Sequence, residues 1–109
     1  MTYYKTEFPD YKSTIPEALL AAPWQDASWH NDACPCFSRR MGAPEWDKQV
    51  HVYVDEADPT LREVDLPRYS VRITDEEGTY TDDDSLDFSS DSLADVLDRV
   101  GFLVGEVAR

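Results

Sequence analysis

The segment Gln49-Val50-His51-Val52-Tyr53-Val54 decides the fold. Its valines fall on every second position. Side chains alternate between the two faces of a strand, so Val50, Val52 and Val54 share one face and Gln49, His51 and Tyr53 the other. A helical turn would spread the same three valines around its circumference. The period recurs further on: Tyr69, Val71 and Ile73 point one way, and Arg68, Ser70, Arg72 and Thr74 the other. Upstream, Cys36 to Met41 reads as a strand that Gly42-Ala43-Pro44 breaks. Asp55 to Pro67 is a polar connection. Downstream, Glu76-Glu77-Gly78 reads as a hairpin turn leading into a short strand at Thr79 to Thr81.

Helical signals flank this block. Residues 1–13 read as an extended arm, because Tyr3, Tyr4, Phe8 and Tyr11 lack a helical spacing. A short helix is expected next. Ser13 or Thr14 can cap it, Pro16 suits its first turn, Ala18 to Ala22 favour it, and Pro23 stops it. Residues 24–35 form a polar loop rich in Trp. Near the end of the chain, Leu93, Val96, Leu97 and Val100 fall at i, i+3, i+4 and i+7, one apolar stripe of a helix. Ser89, Ser90 or Asp91 can cap it, and Gly101 is expected to end it. The fold class expected is α+β: a single domain spanning residues 1–109, built as a two-layer sandwich. Its antiparallel sheet has three to four strands, with an N-terminal and a C-terminal helix.

Composition supports one packed core. The chain has 109 residues, of which 41 % are hydrophobic, with three Trp, six Tyr and four Phe. That is enough apolar surface to exclude a wholly disordered chain despite the charge. No apolar run approaches the length of a membrane span. The segment Met1 to Lys5 does not begin a signal peptide, and two cysteines are too few for a disulfide framework. The expected location is the cytoplasm, that of an infected host cell if the gene is viral.

The net charge of −13 is unevenly placed. Residues 1–54 carry five basic against seven acidic side chains, a net of −2, whereas residues 55–98 carry three Arg against fifteen Asp and Glu, a net of −12. Two triplets, Asp75-Glu76-Glu77 and Asp82-Asp83-Asp84, flank the expected hairpin. Asp87, Asp91, Asp95 and Asp98 continue the run, the last three at i, i+4 and i+7. Like charges at that spacing repel, so the stripe needs a reason other than helix stability. Salt adaptation would spread acidity over the whole surface rather than concentrate it. Direct binding to nucleic acid or to an anionic membrane surface requires the opposite sign of charge. A basic partner fits.

No motif names a reaction, and no cofactor is implied. His30, Cys34, Cys36 and His51 are all the His and Cys residues of the chain, and four such groups can make a tetrahedral zinc site. Their spacing is atypical, with Cys-x-Cys stiffened by Pro35, so the simpler reading is buried apolar thiols. A cysteine nucleophile beside His30 or His51 would lack any marked oxyanion donors. The run Asp83-x-Ser85-x-Asp87-x-Ser89-x-Asp91 begins like a calcium loop, but Phe88 stands where glycine is needed and Ala94 where glutamate is needed.

These readings converge on a binding protein, not an enzyme. The leading expectation is a small acidic inhibitor. Its carboxylate rows mimic nucleic-acid phosphates and block a basic nucleic-acid-binding enzyme, such as a nuclease or a restriction or CRISPR effector; a phage or mobile-element origin suits this. A second reading is a protein-interaction domain that binds through Trp24, Trp29 and Trp46, since exposed Trp marks binding hot spots. A zinc-stabilised module is the third.

Overall fold

A computed structural model of the chain describes residues 3–40, 49–63, 65–74 and 86–105. The elements run in the order α1 (Tyr4–Glu7), α2 (Glu17–Leu20), β1 (Gln25–Asp26), β2 (Cys36–Arg40), β3 (Gln49–Val54), a 3-10 turn (Pro59–Leu61), β4 (Tyr69–Thr74), β5 (Leu86–Ser90) and α3 (Leu93–Leu103). Among the described residues the strands form one five-stranded sheet, ordered β1-β2-β3-β4-β5, with every neighbouring pair antiparallel. The class is α+β.

β3 lies in the middle, as its pattern requires. Val50, Val52 and Val54 are fully buried. Directly opposed residues share a face of a sheet. Phe37 and Val71 flank Val52, Tyr69 lies opposite Val54, and Phe88 lies opposite Val71. Val96 and Val100 of α3 close over this face, with Leu93 and Leu97 packed beside them, and α3 contacts β4 and β5. Ile15 and Leu19, from the N-terminal segment and α2, complete the cluster. Burying each of these aliphatic side chains contributes about 1.5–3 kcal/mol.

Several expectations need correcting. The sheet has five strands among the described residues rather than three to four. The extra one, β1, is a two-residue bridge inside the Trp-rich loop, too short to carry a period. The strand following β4 is β5 at Leu86–Ser90; the hairpin turn and strand expected at residues 76–81 lie outside the described residues. The arm is not wholly extended, since α1 makes one helical turn within it. α2 is one turn long and has no side-chain cap. Ser13 is engaged elsewhere: its Oγ donates to Glu56 Oε1 at 2.6 Å and accepts from the Ala57 N–H at 2.8 Å.

The start and stop of α3 also differ from expectation. Ser92 caps it, accepting from the Asp95 N–H at 3.3 Å, while Ser89 and Ser90 belong to β5. Gly101 is buried within the helix. The stop comes at Gly105, whose φ of 81° is the left-handed conformation that commonly follows a helix end. No helix among the described residues is long and apolar enough to cross a membrane.

Candidate functional site

Of the expected acidic face, Asp75, Glu76, Glu77, Asp82, Asp83 and Asp84 lie outside the described residues. Asp87 falls within β5, and Asp91, Asp95 and Asp98 flank or belong to α3. Asp91 precedes the cap, so it is not part of a helical stripe. Its Oδ1 accepts the Arg68 N–H at 2.9 Å and lies 3.6 Å from Arg62 Nη1. Asp91 therefore ties the start of β4 to the end of β5. Asp95 and Asp98 are exposed on α3.

Two arginines of the acidic half direct most of their hydrogen bonds to the backbone. Arg62 donates to three backbone carbonyls: from Nε to Glu56 at 2.7 Å, from Nη1 to Leu66 at 3.0 Å and from Nη2 to Ala57 at 3.2 Å. Arg68 donates from Nε to the Asp55 carbonyl at 3.0 Å and from Nη2 to the Thr14 carbonyl at 2.8 Å. A guanidinium has five donors in a rigid fork, and here they organise the β3–β4 connection. Two of the three cations in residues 55–98 thus serve mainly backbone oxygens.

Some carboxylates are likewise part of the fold. Glu56 is buried and accepts the Lys12 N–H at 2.9 Å together with the Ser13 hydroxyl, which pins the N-terminal segment to the end of β3. Asp26 Oδ2 accepts the Tyr4 N–H at 2.7 Å, holding the first turn of α1. Asp58 caps the 3-10 turn by accepting from the Thr60 N–H at 2.9 Å, and hydrogen bonds from Thr60 hold its carboxyl below the usual range. Tyr11 donates its hydroxyl to the carbonyls of Val54 and Asp55. Burial pushes that phenol up to about 12.

A cleft of about 330 Å3 opens where the N-terminal segment crosses the β3–β4 connection. Phe8, Pro9 and Leu61 give it apolar walls, and five carboxylates line it: Glu7, Asp10, Asp55, Glu56 and Glu63. Lys12 is the one cation among its described lining residues. Asp55 is 4 % exposed; its Oδ1 accepts the Glu56 N–H at 2.8 Å, while its Oδ2 is buried without a hydrogen-bond partner. Burial raises the Asp55 carboxyl above the ordinary value, and the charges of Glu56 and Glu63 add to the rise. Cys34 also lines the cleft. Burial, followed by the neighbouring carboxylates, pushes its thiol well up, so it rests protonated.

The four zinc candidates do not converge. Among the described residues no group of three or more His, Cys, Asp or Glu side chains is placed to hold a metal ion. His30 is exposed; its Nδ1 lies 3.1 Å from Glu7 Oε1, and this hydrogen bond lowers the Glu7 carboxyl. Cys36 and His51 do meet, on the sheet face opposite the valines. Cys36 Sγ lies 3.5 Å from His51 Nδ1, and His51 Nε2 lies 2.8 Å from Thr74 Oγ1. The order thiol, imidazole, hydroxyl resembles a nucleophile with its base and orienting group. Burial opposes that chemistry: it raises the Cys36 thiol well above its ordinary value and lowers His51. The thiolate is the nucleophile of such pairs, and this one rests as a thiol against a neutral imidazole.

The tryptophans separate. Trp24 is half-buried against the core, with the Arg39 guanidinium 5.8 Å from its ring centroid. Trp29 is 48 % exposed and stacks on His30 at 4.2 Å between centroids. Trp46 lies outside the described residues.

Sequence reading missed the roles of Asp26, Glu56, Arg62 and Arg68. Asp26, Glu56 and Arg68 find partners 22, 44 and 54 residues away along the chain, beyond the reach of any local pattern, whereas the Arg62 carbonyls lie four to six residues off, in a connection without a regular period. Comparison with known proteins returns no match: no family model, curated protein or solved structure shares significant similarity with the chain.

Proposed function

We propose that this chain is a small acidic binding protein that acts by occupation rather than catalysis. Its acidic half, Asp75 to Asp98, presents carboxylates in place of nucleic-acid phosphates to the basic channel of a nucleic-acid-binding enzyme, such as a nuclease or a restriction or CRISPR effector. The observation that carries this reading is the concentration of acidic side chains in residues 55–98, where Arg62 and Arg68 direct most of their hydrogen bonds to backbone carbonyls. With fifteen Asp and Glu against three Arg in residues 55–98, the Arg62–Asp91 contact at 3.6 Å leaves most of that acidity without a cation of its own half. An inhibitor gains from such an excess, because complementary fields speed association and select the partner. The reading includes a two-layer sandwich, with α3 as the layer over the valine face, and a cytoplasmic place of action.

The test is capture of partners from lysate of the native host on immobilised protein, at low and at high salt, with the prey identified by mass spectrometry. A basic nucleic-acid-binding protein released by salt is expected. Finding no salt-sensitive prey would count against the reading. The exposed Trp29 favours one other reading, a partner held through the Trp-rich loop. In that case Trp29→Ala would abolish capture, and salt would change it little.

A further inference from the structure

We infer that Trp29, together with the Glu7 carboxylate, is a displayed anchor for an arginine side chain of a partner protein. The inference rests on the reading of this chain as the binder of a basic partner, but on none of the carboxylates of residues 55–98.

The backbone on both sides of Trp29 is pinned. Before it, Ser28 is fully buried; its Oγ accepts the Cys36 N–H at 3.1 Å, and its own N–H donates to Asp26 Oδ1 at 3.0 Å. After it, the N–H and the Nδ1 of His30 both meet Glu7 Oε1 at 3.1 Å, and the Asp32 N–H donates to the Trp29 carbonyl at 2.9 Å. The loop is thus ordered by polar contacts, and the indole it carries stands 48 % exposed. The stack on His30 at 4.2 Å fixes the direction of the indole. A large ring ordered in advance loses little freedom when a partner docks, and Trp is enriched among the residues that dominate interfaces.

Charge chooses the occupant. The face of an indole attracts cations, and guanidinium most often. The chain's own arginines lie over Trp24, Tyr69 and Phe102 at 5.2 to 5.8 Å from the ring centroids, whereas Trp29 has no cation over it among the described residues. Glu7 supplies the counter-charge. Both His30 groups meet its Oε1; its Oε2 receives no hydrogen bond among the described residues and is not buried. Trp29 and Glu7 border one imidazole, the first at its face and the second at Nδ1. A guanidinium can lie flat on the indole and donate from its edge to Oε2, whereas an ammonium is a strongly hydrated point charge that gains less from a ring. The net charge of −13 draws cationic partners and repels anionic ones.

The experiment is an NMR titration of the full chain with N-acetylated, amidated arginine, lysine and norleucine, at neutral pH and about 0.15 M salt to screen diffuse attraction. The arginine probe is expected to shift the Trp29 indole N–H and the amides of residues 7 and 28–32 saturably, with Kd on the order of ten millimolar. Lysine and norleucine are expected to bind at least about threefold more weakly. Glu7→Gln, which keeps an acceptor for His30, is expected to weaken arginine about two- to fivefold. Trp29→Ala removes an exposed side chain, so the β3 amides should keep their positions while the response of Glu7 and His30 to arginine is lost. Absence of saturable shifts at Trp29, equal binding of lysine or norleucine, or an undiminished response in either variant would overturn the inference. None of these results bears on salt-sensitive capture by the acidic half, so the two readings can fail separately.

Discussion

Glu56 and Asp95 carry the same charge and have opposite relations to the fold. Glu56, at the end of β3, is buried and accepts hydrogen bonds from Lys12 and Ser13, more than forty residues earlier in the chain. Asp95, on the first turn of α3, is exposed, and its carboxylate has no partner among the described residues. The first closes the structure; the second is left to solvent or to a partner. The acidity of this chain is therefore two populations. One replaces missing hydrogen bonds at crossings of the backbone, and the other supplies a field.

Variants can separate the two populations. Glu56→Ala strands the Lys12 N–H and the Ser13 hydroxyl at a partly buried crossing. It should lower stability by about 2–3 kcal/mol in chemical denaturation, since hydrogen bonds to charged groups contribute most. A loss below about 0.5 kcal/mol would place Glu56 with the surface carboxylates. Tyr11→Phe removes the neutral donor at the same crossing and should cost about 1 kcal/mol. Its pH dependence has a definite sign. The folded-state phenol is raised to about 12 against an ordinary value of 10.0. The stability it contributes is thus complete below pH 10 and is lost between pH 10 and 12, and the variant should lack that loss.

His51 gives a smaller effect at the other end of the scale. Burial lowers its folded-state value below 6.5, so the unfolded chain takes up the proton first. Wild type should lose stability relative to His51→Gln as pH falls through 6.5, and the two should run parallel above it. Asp95→Asn should change stability least, within about 0.5 kcal/mol, because the site is exposed and only the helix dipole favours the charge.

The sequence made β3 and β4 legible because apolar residues alternate in both, Val50, Val52 and Val54 in the first and Tyr69, Val71 and Ile73 in the second. β3 spans the expected Gln49–Val54, and the stripe of α3 buries Val96 and Val100 as expected. Termini were less legible. Gly101, the expected stop, lies inside α3, and the positive φ of Gly105 follows the true end, a difference of backbone angle that residue type does not reveal. Ser13 has the chemistry of a cap, but Glu56 offered it a stronger acceptor. The candidate site was legible as a concentration of charge and not as geometry. Asp91 looked like one step of a helical stripe, and its pairing with Arg68 follows from how β4 meets the end of β5. The cleft was invisible for the same reason: its walls come from three separate stretches of chain.

The central claim is that the second population faces a partner. The most direct measurement compares wild type with the combined variant Asp82→Asn, Asp83→Asn, Asp84→Asn and Asp87→Asn, in melting temperature and in capture of basic prey. The account predicts an equal or higher melting temperature, from relief of like-charge repulsion, together with loss of the salt-sensitive prey. Unchanged capture, or a variant that no longer folds, would contradict it.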